Sequence, residues 1–299
     1  MMLSQDDFRP VTLADRDFFA RHYAAYPQTH SDNTFTNMVC WNHFAHYTYA
    51  HVERNVVIAS TIGSVTRFRP PIGPRNPALL RSLIRFASDV SDNEPIGLID
   101  PETARWMKEV CPAANLVPDR NHFEYVYRTS DLADLPGKNY LTIRRQVNKF
   151  RKNCTSMVEP ISKENHAEVK RFLIEWCEWK GCEGGDPVLA HEKEAVFFAI
   201  DNFDELRLNG LAIRVFSKVG AIALFEPQTA DTALVHFEKG LPDCEGIYKA
   251  INQETAARLA RDFTYINRES DLGVPGLREA KERLHPHHMV EVYSLKRDS

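Results

Sequence analysis

A chain of 299 residues and 34.3 kDa is too long for one small module and has room for one large domain or two ordinary ones. Its 43% apolar and 26% charged residues exclude disorder over most of the length and allow a real core. A net charge of -4 excludes a bulk polyanion binder, so contact with nucleic acid or lipid headgroups would have to use a local basic patch.

From the N-terminus, Met1–Pro10 carries Asp6 and Asp7 and no basic-then-apolar signal pattern. No apolar run approaches the roughly 18 residues of a membrane helix, and short runs such as Val56–Ala59 and Ala221–Phe225 are ordinary core segments. These features predict a cytoplasmic protein. Thr12 is positioned to cap a helix carrying Phe18, Phe19 and Tyr23. Ser31–Asn37 is a polar turn or cap leading into the aromatic-rich stretch Met38–His46. Tyr47–His51 and Asn55–Ser60 read as paired strands, and Arg69–Pro74 as a proline-rich loop. Leu79, Leu80, Leu83, Ile84 and Phe86 have helical spacing. A strand at Ile96–Ile99, a helix at Pro101–Val110 and a strand at His122–Tyr127 complete the first half.

The halves join near Asp131–Lys138. Helices are predicted at Lys138–Asn153 and Lys163–Lys180, the latter with Phe172, Leu173, Trp176 and Trp179 on its apolar side. A loop at Cys182–Pro187 and a helix at Glu192–Asn202 follow. Strands at Leu206–Phe216, Ala221–Phe225 and Ala233–Phe237 precede a helix at Ile247–Asp262 and a strand at Phe263–Asn267. The last helix is Pro275–Leu284 and the last strand Met289–Leu295. This is a mixed α/β (α+β) order in which an antiparallel hairpin feeds a βαβ-like unit, the order of the GNAT-like acyltransferase fold. The first half reads as a degenerate copy. The expected organisation is an N-terminal domain over residues 1–135 and a C-terminal domain with the transfer site over 136–299, both mixed sheets flanked by helices. The cysteines (Cys40, Cys111, Cys154, Cys177, Cys182 and Cys244) are scattered without Cys-x-x-Cys spacing and read as reduced structural thiols.

Three clusters could carry chemistry. Gly137–Lys152 holds six basic side chains and no acidic one. At about 100° per residue, Ile143, Val147 and Phe150 share a narrow arc while Arg144, Arg145, Lys149, Arg151 and Lys152 lie on the other sides. That helix reads either as a solvated face or as a phosphate-facing one, because a guanidinium donates bidentately to phosphate. Tyr265–Lys281 runs from a strand end through a polar cluster and a glycine turn into a helix start. Glu269 and Asp271 beside Arg268 could orient an amine or act as base and anchor. Asp271 could also cap the helix, with Leu277, Ala280 and Leu284 packed and Arg278 and Lys281 on another side. In the third cluster Glu226, His236, Glu238 and Lys239 lie at strand ends. There Glu238 is a candidate base, Tyr248 a candidate proton donor and Asn252 a polar anchor. Phosphate-loop, dinucleotide, nucleophile-elbow and zincin motifs are absent, and His285, His287 and His288 lack partners at ligand spacing, so no metal is expected.

Particular stretches carry a family resemblance: Ser31-Asp32 with Thr34–Asn37 and Trp41, Phe123–Tyr127, and Gly137–Tyr140 with Arg144–Phe150. Stronger still are Glu238-Lys239, Tyr248 with Ile251-Asn252, and Asn267–Glu269 with Asp271–Gly273, Gly276–Arg278 and Lys281. On these the chain resembles a bacterial and archaeal domain family related to the C-terminal catalytic domain of phosphatidylglycerol lysyltransferases. The resemblance implies a tandem GNAT-like fold with an active crevice near the domain junction. It implies transfer of an aminoacyl group from aminoacyl-tRNA to a lipid headgroup, with no tightly bound cofactor. Lys138, Arg144 and Arg145, with Lys149 on the same helix, would meet RNA or lipid phosphate. Glu238, Glu269, Asp271 and Tyr248 would be catalytic, and Asn252, Asn267, Arg268, Arg278 and Lys281 would bind substrate. No membrane domain accompanies these motifs, so a small soluble amine, peptide or sugar stands beside the lipid headgroup as expected acceptor. An acyl-CoA donor is the alternative, weakened by Pro242, Asp243 and Glu245 in the loop where a pyrophosphate needs backbone donors. A non-catalytic binding protein that kept the fold is the third reading.

Overall fold

The computed structural model describes residues 3–91, 93–182 and 187–297, and places them in two compact units. The first holds the chain up to Glu124, Ser270–Pro275 and the residues from Met289 on; the second holds Tyr125–Glu269 and Gly276–His288. The chain opens with β1 (Arg9–Pro10), α1 (Arg16–Ala25), α2 (Phe35–Cys40) and α3 (Asn42–Ala45). The meander β2 (Thr48–Val52), β3 (Asn55–Ile62), β4 (Val65–Phe68) follows, then α4 (Pro77–Val90), β5 (Ile96–Ile99), α5 (Pro101–Val110) and β6 (Asn115–Pro118). Asn76 and Asp100 start α4 and α5 by accepting hydrogen bonds from the first free backbone N–H groups, each with proline next in line.

The same order then repeats. After β7 (Glu124–Arg128), α6 (Thr129–Asp134) and α7 (Leu141–Asn153) come β8 (Ser156–Pro160), α8 (His166–Lys180) and α9 (Pro187–Asp201). The meander β9 (Asn209–Val215), β10 (Lys218–Pro227), β11 (Thr232–Gly240) leads to α10 (Ile247–Leu259), β12 (Tyr265–Ser270), α11 (Pro275–Glu282), β13 (His288–Val290) and β14 (Tyr293–Lys296). The two seven-stranded sheets run β1-β2-β3-β4-β5-β14-β6 and β13-β7-β12-β11-β10-β9-β8. Both are mixed and flanked by helices, the α/β (α+β) architecture expected. Each sheet fills the place beside its fifth strand with a strand from the other half of the sequence: β14 joins β5, and β7 joins β12.

Several sequence expectations are corrected. The closing strand Met289–Leu295 is two strands, β13 and β14, in different sheets. Strands β4, β6 and β8 carry no clear alternation and were not expected; β8 is an edge strand with little burial. Trp179, in the last turn of α8 and at the edge of the arc of Phe172, Leu173 and Trp176, is exposed, with the Lys180 ammonium 4.9 Å from its ring centroid. Helix α11 buries none of its residues, so Leu277 and Ala280 are not its packed side; Leu284 beyond it is buried. Of the loop expected at Cys182–Pro187, residues 183–186 lie outside the described residues.

The cysteines are corrected too: Cys154 bonds Cys244, and Cys177 bonds Cys182. Spacing hid both pairs. Helix α7 packs against α10, which brings Cys154 at the end of one beside Cys244 just before the other. Gly181, at φ 70°, ends α8 in a left-handed cap whose Cys182 N–H donates to the Cys177 carbonyl, folding the second pair together. Cys40 and Cys111 remain thiols.

Candidate active site

The second sheet opens where β11 leaves β12. These parallel strands pair only from Thr232–Tyr265 to Leu234–Asn267, although β11 runs on to Gly240 and β12 to Ser270. Beyond that point β11 stays with β10 as far as Gly240. A bulge marks the parting: Phe225 pairs with Val235 and Leu224 with Phe237, leaving His236 as the extra residue. The result is a gap within the second unit between Val235–Gly240 and Arg268–Glu269.

Charged side chains populate that gap. The buried His236 imidazole reaches Glu226 Oε1 at 2.9 Å through Nε2 and Glu269 Oε1 at 3.3 Å through Nδ1. Burial opposes its charge, but the hydrogen bonds to Glu226 and Glu269 outweigh burial and push its pKa up to about 9. His236 is therefore an imidazolium at neutral pH, donating from both nitrogens to the two glutamates. Glu269 is the more open of the two, its side chain 29% exposed. Its backbone has φ 60°, a left-handed conformation unfavourable for glutamate. The buried Asn267 holds it there, its Oδ1 accepting from the Glu269 N–H at 2.9 Å while its Nδ2 donates to Gln228 Oε1 at 3.1 Å.

Arg268, one residue along, forms an ion pair with the nearly buried Glu238 of β11 and donates to Asn252 Oδ1 on α10 at 2.5 Å. Desolvation lowers the Arg268 pKa from its usual value. From α11, Lys281 donates to the Arg268 and Glu269 carbonyls and lies 5.8 Å from the Tyr125 ring centroid. It thereby fixes the strained turn from below. Tyr248 accepts from Trp176 Nε1 at 2.9 Å, and burial raises its pKa, so it remains a phenol. Lys239 pairs with Glu192 at 2.5 Å and sits over the Trp176 ring.

Contacts thus join Glu238, Asn252, Asn267, Arg268, Glu269 and Lys281, while Tyr248, bonded to Trp176, and the half-exposed Arg278 on α11 belong to the same unit. Asp271 belongs to the first unit. Its buried carboxylate pairs with Arg120 at 3.0 Å and accepts from the Gly273 N–H, an Asx turn rather than a cap for α11. Sequence reasoning placed Glu226 and His236 at strand ends but gave them no role. The signal was there, since a hairpin with its tip at Thr229–Asp231 brings their positions together across β10 and β11.

The basic helix α7 is only partly available. Arg144 donates to the Leu135 and Gly137 carbonyls, Lys149 pairs with Glu245, and Arg151 pairs with Glu254. Lys138, Arg145 and Lys152 are exposed and make no ion pair or side-chain hydrogen bond with the described residues.

Over residues 23–296 the sequence matches the family described as "Phosphatidylglycerol lysyltransferase, C-terminal". The chain belongs to this family. No curated protein matches it. A conserved protein of unknown function from Bacteroides thetaiotaomicron VPI-5482 shares 29% identity, with 97% of this chain and 99% of that one covered and a TM-score of 0.89. L-PGS from Bacillus licheniformis shares 12% identity over 95% of this chain and 93% of that one, with a TM-score of 0.63. FemX shares 8% identity over 96% of both chains, with a TM-score of 0.57, a likeness of fold. As a phosphatidylglycerol lysyltransferase C-terminal family member, the chain is a transferase-type domain. No helix among its described residues is long and apolar enough to cross a membrane.

Proposed function

We propose that the second unit moves an aminoacyl group from aminoacyl-tRNA to the hydroxyl or amine of an acceptor, either a lipid headgroup or a small soluble molecule. The observation that carries this reading is the opening between β11 and β12, lined by carboxylates arranged around one imidazolium and one buried guanidinium. In the reaction the acceptor's lone pair attacks the ester carbonyl carbon. The new C–O or C–N bond forms as the bond to the ribose oxygen breaks. The acceptor gives up a proton and the ribose oxygen takes one. Such chemistry needs positioning and a fixed field more than a cofactor.

Each group has a task in this scheme. Glu269, the open carboxylate, holds the aminoacyl ammonium or receives the acceptor's proton. Glu238 and Arg268 supply the field, with Asn252 fixing the guanidinium. Tyr248 is the proton donor, and Asn267 and Lys281 hold the turn that aims Glu269. Arg278 contacts substrate from α11. Asp271, bonded to Arg120, is left with a supporting role.

An acyl-CoA donor fits less well. A pyrophosphate would sit at the N-terminus of α10, where backbone N–H groups are free. That end is covered: a Cβ on Gly246 would collide with the Gln146 carbonyl oxygen of α7. Glu245 flanks it and Cys244 is tied to Cys154.

The open cations Lys138, just before α7, and Arg145, on it, give the test for the donor. In filter binding, Lys138→Ala with Arg145→Ala should weaken tRNA binding and flatten the plot of log K against log salt by roughly 1.5, at about 0.7–0.9 for each phosphate no longer neutralised. Saturating acetyl-CoA should leave the melting temperature unchanged, since only a ligand of the folded state raises it. An unchanged salt slope, or a melting shift with acetyl-CoA alone, would reverse the assignment of the donor.

A further inference from the structure

The turn joining β9 to β10 puts a bulky aromatic where neither the backbone nor water favours one. Phe216 and Ser217 form its two central residues, at φ 47° and 74°. Two successive positive φ values define the tight hairpin turn that asparagine and glycine suit best. Phenylalanine there is both strained and, at 69% exposed, unpacked. The matching turn of the first unit, between β2 and β3, has the same form, with Glu53 and Arg54 at φ 47° and 67°. There the residues are charged, as an exposed tip requires. The fold therefore does not demand an aromatic at Phe216.

Its surroundings give the tip a direction. Phe216 N–H donates to the Thr155 carbonyl, seating the tip beside the edge strand β8. There Met157, 57% exposed, opposes Arg214, and Val158, 41% exposed, opposes Ile213, so the two project from opposite faces. The apolar groups thus form a protruding corner rather than a groove. Lys218 follows the tip and Lys152 lies in the last turn of α7, shortly before Thr155; both are exposed and unpaired among the described residues. Of the nearby acids, Glu159 and Glu168 share Arg214, which leaves one net negative charge against the two lysines, and Glu254 is paired with Arg151. An apolar wedge with unpaired cations behind it, on a chain of net charge -4, complements an anionic bilayer.

We infer that this corner docks on anionic phospholipid membranes, Phe216 and Met157 entering the interface while Lys218 and Lys152 meet the headgroups. Docking is independent of turnover, so its failure would leave the transfer reading standing.

The test is co-sedimentation of the full chain with vesicles of phosphatidylcholine, with and without phosphatidylglycerol. Binding should require the anionic lipid and fall in high salt. Phe216→Asn should lower the partition coefficient about tenfold or more, from the lost apolar burial. It should also raise the melting temperature by roughly 2–3 °C, because asparagine accepts the left-handed conformation. A structural aromatic would give the opposite melting shift. Lys218→Glu should weaken binding by about tenfold. Val65→Ser, at an exposed apolar position of the first unit, should leave binding unchanged. The proposal is overturned if the chain ignores phosphatidylglycerol vesicles, if Phe216→Asn binds as well as the parent, or if tRNA abolishes binding through Lys152 and Lys218 while Phe216→Asn has no effect.

Discussion

Replacing His236 with leucine will destabilise the protein by about 3–5 kcal/mol, the usual cost of stranding buried charge. The imidazolium is the shared partner of Glu226 and Glu269, and without it two partly buried carboxylates face each other across the bulge. Adding Glu226→Gln to the leucine variant should restore part of the loss, because one of the two unpaired charges is then gone. The same linkage has a pH signature. The folded-state pKa of His236, pushed up to about 9, lies above its usual value of 6.5. The group binds its proton more tightly when folded, so its contribution is complete below pH 6.5 and is lost as pH rises through 9. That difference corresponds to about 3 kcal/mol, at 1.36 kcal/mol per pH unit. Urea titrations at pH 6 and pH 9.5 should show the parent losing stability on this scale and the leucine variant losing much less. A parent whose stability is flat across that range would mean that His236 is not held charged.

Replacing Arg268 with lysine should cut transfer by 10²–10³-fold, the size seen when one fixed electrostatic donor is removed. The guanidinium engages Glu238 and Asn252 together from a rigid fork, whereas one ammonium cannot hold both directions. Because charge is kept, the variant should stay folded, with thermal melting reporting a loss of a few degrees at most. The decisive comparison is single-turnover transfer at saturating tRNA: a fall in rate with little change in tRNA affinity places Arg268 at the reacting centre. A tenfold weaker tRNA affinity with an unchanged rate would place it in donor binding instead.

Much of this site was legible because local signals and tertiary roles coincide. A strand ending in Asn267-Arg268-Glu269 announces side chains at a crevice. The turn that aims Glu269 is itself local, since the Asn267 side chain bonds two residues on. Helices α4, α7, α8 and α10 were legible from spacing, because one apolar arc must face a core. What stayed hidden depends on which strands pair. Nothing in Tyr293–Lys296 says that it joins β5 and β6, or in Glu124–Arg128 that it joins β12 and β13, because period-two alternation names a face and not a neighbour. The same blindness grouped Asp271 with Glu269: two apart in sequence, they belong to different units. It also hid the disulfides, which depend on α7 meeting α10 and on a left-handed cap. The basic run of α7 looked uniformly available because its partners, Glu245 and Glu254, lie about a hundred residues away.

The measurement that bears most directly on the central claim is the fate of a labelled aminoacyl group. Aminoacyl-tRNA is mixed with the protein, and deacylation is followed with and without phosphatidylglycerol vesicles or soluble amines. The account predicts that label leaves the tRNA only when an acceptor is present, appears on that acceptor as an ester or amide, and is retained on the tRNA with Glu269→Gln. Label that never leaves the tRNA with any of these acceptors, or that leaves equally fast with Glu269→Gln, would contradict it.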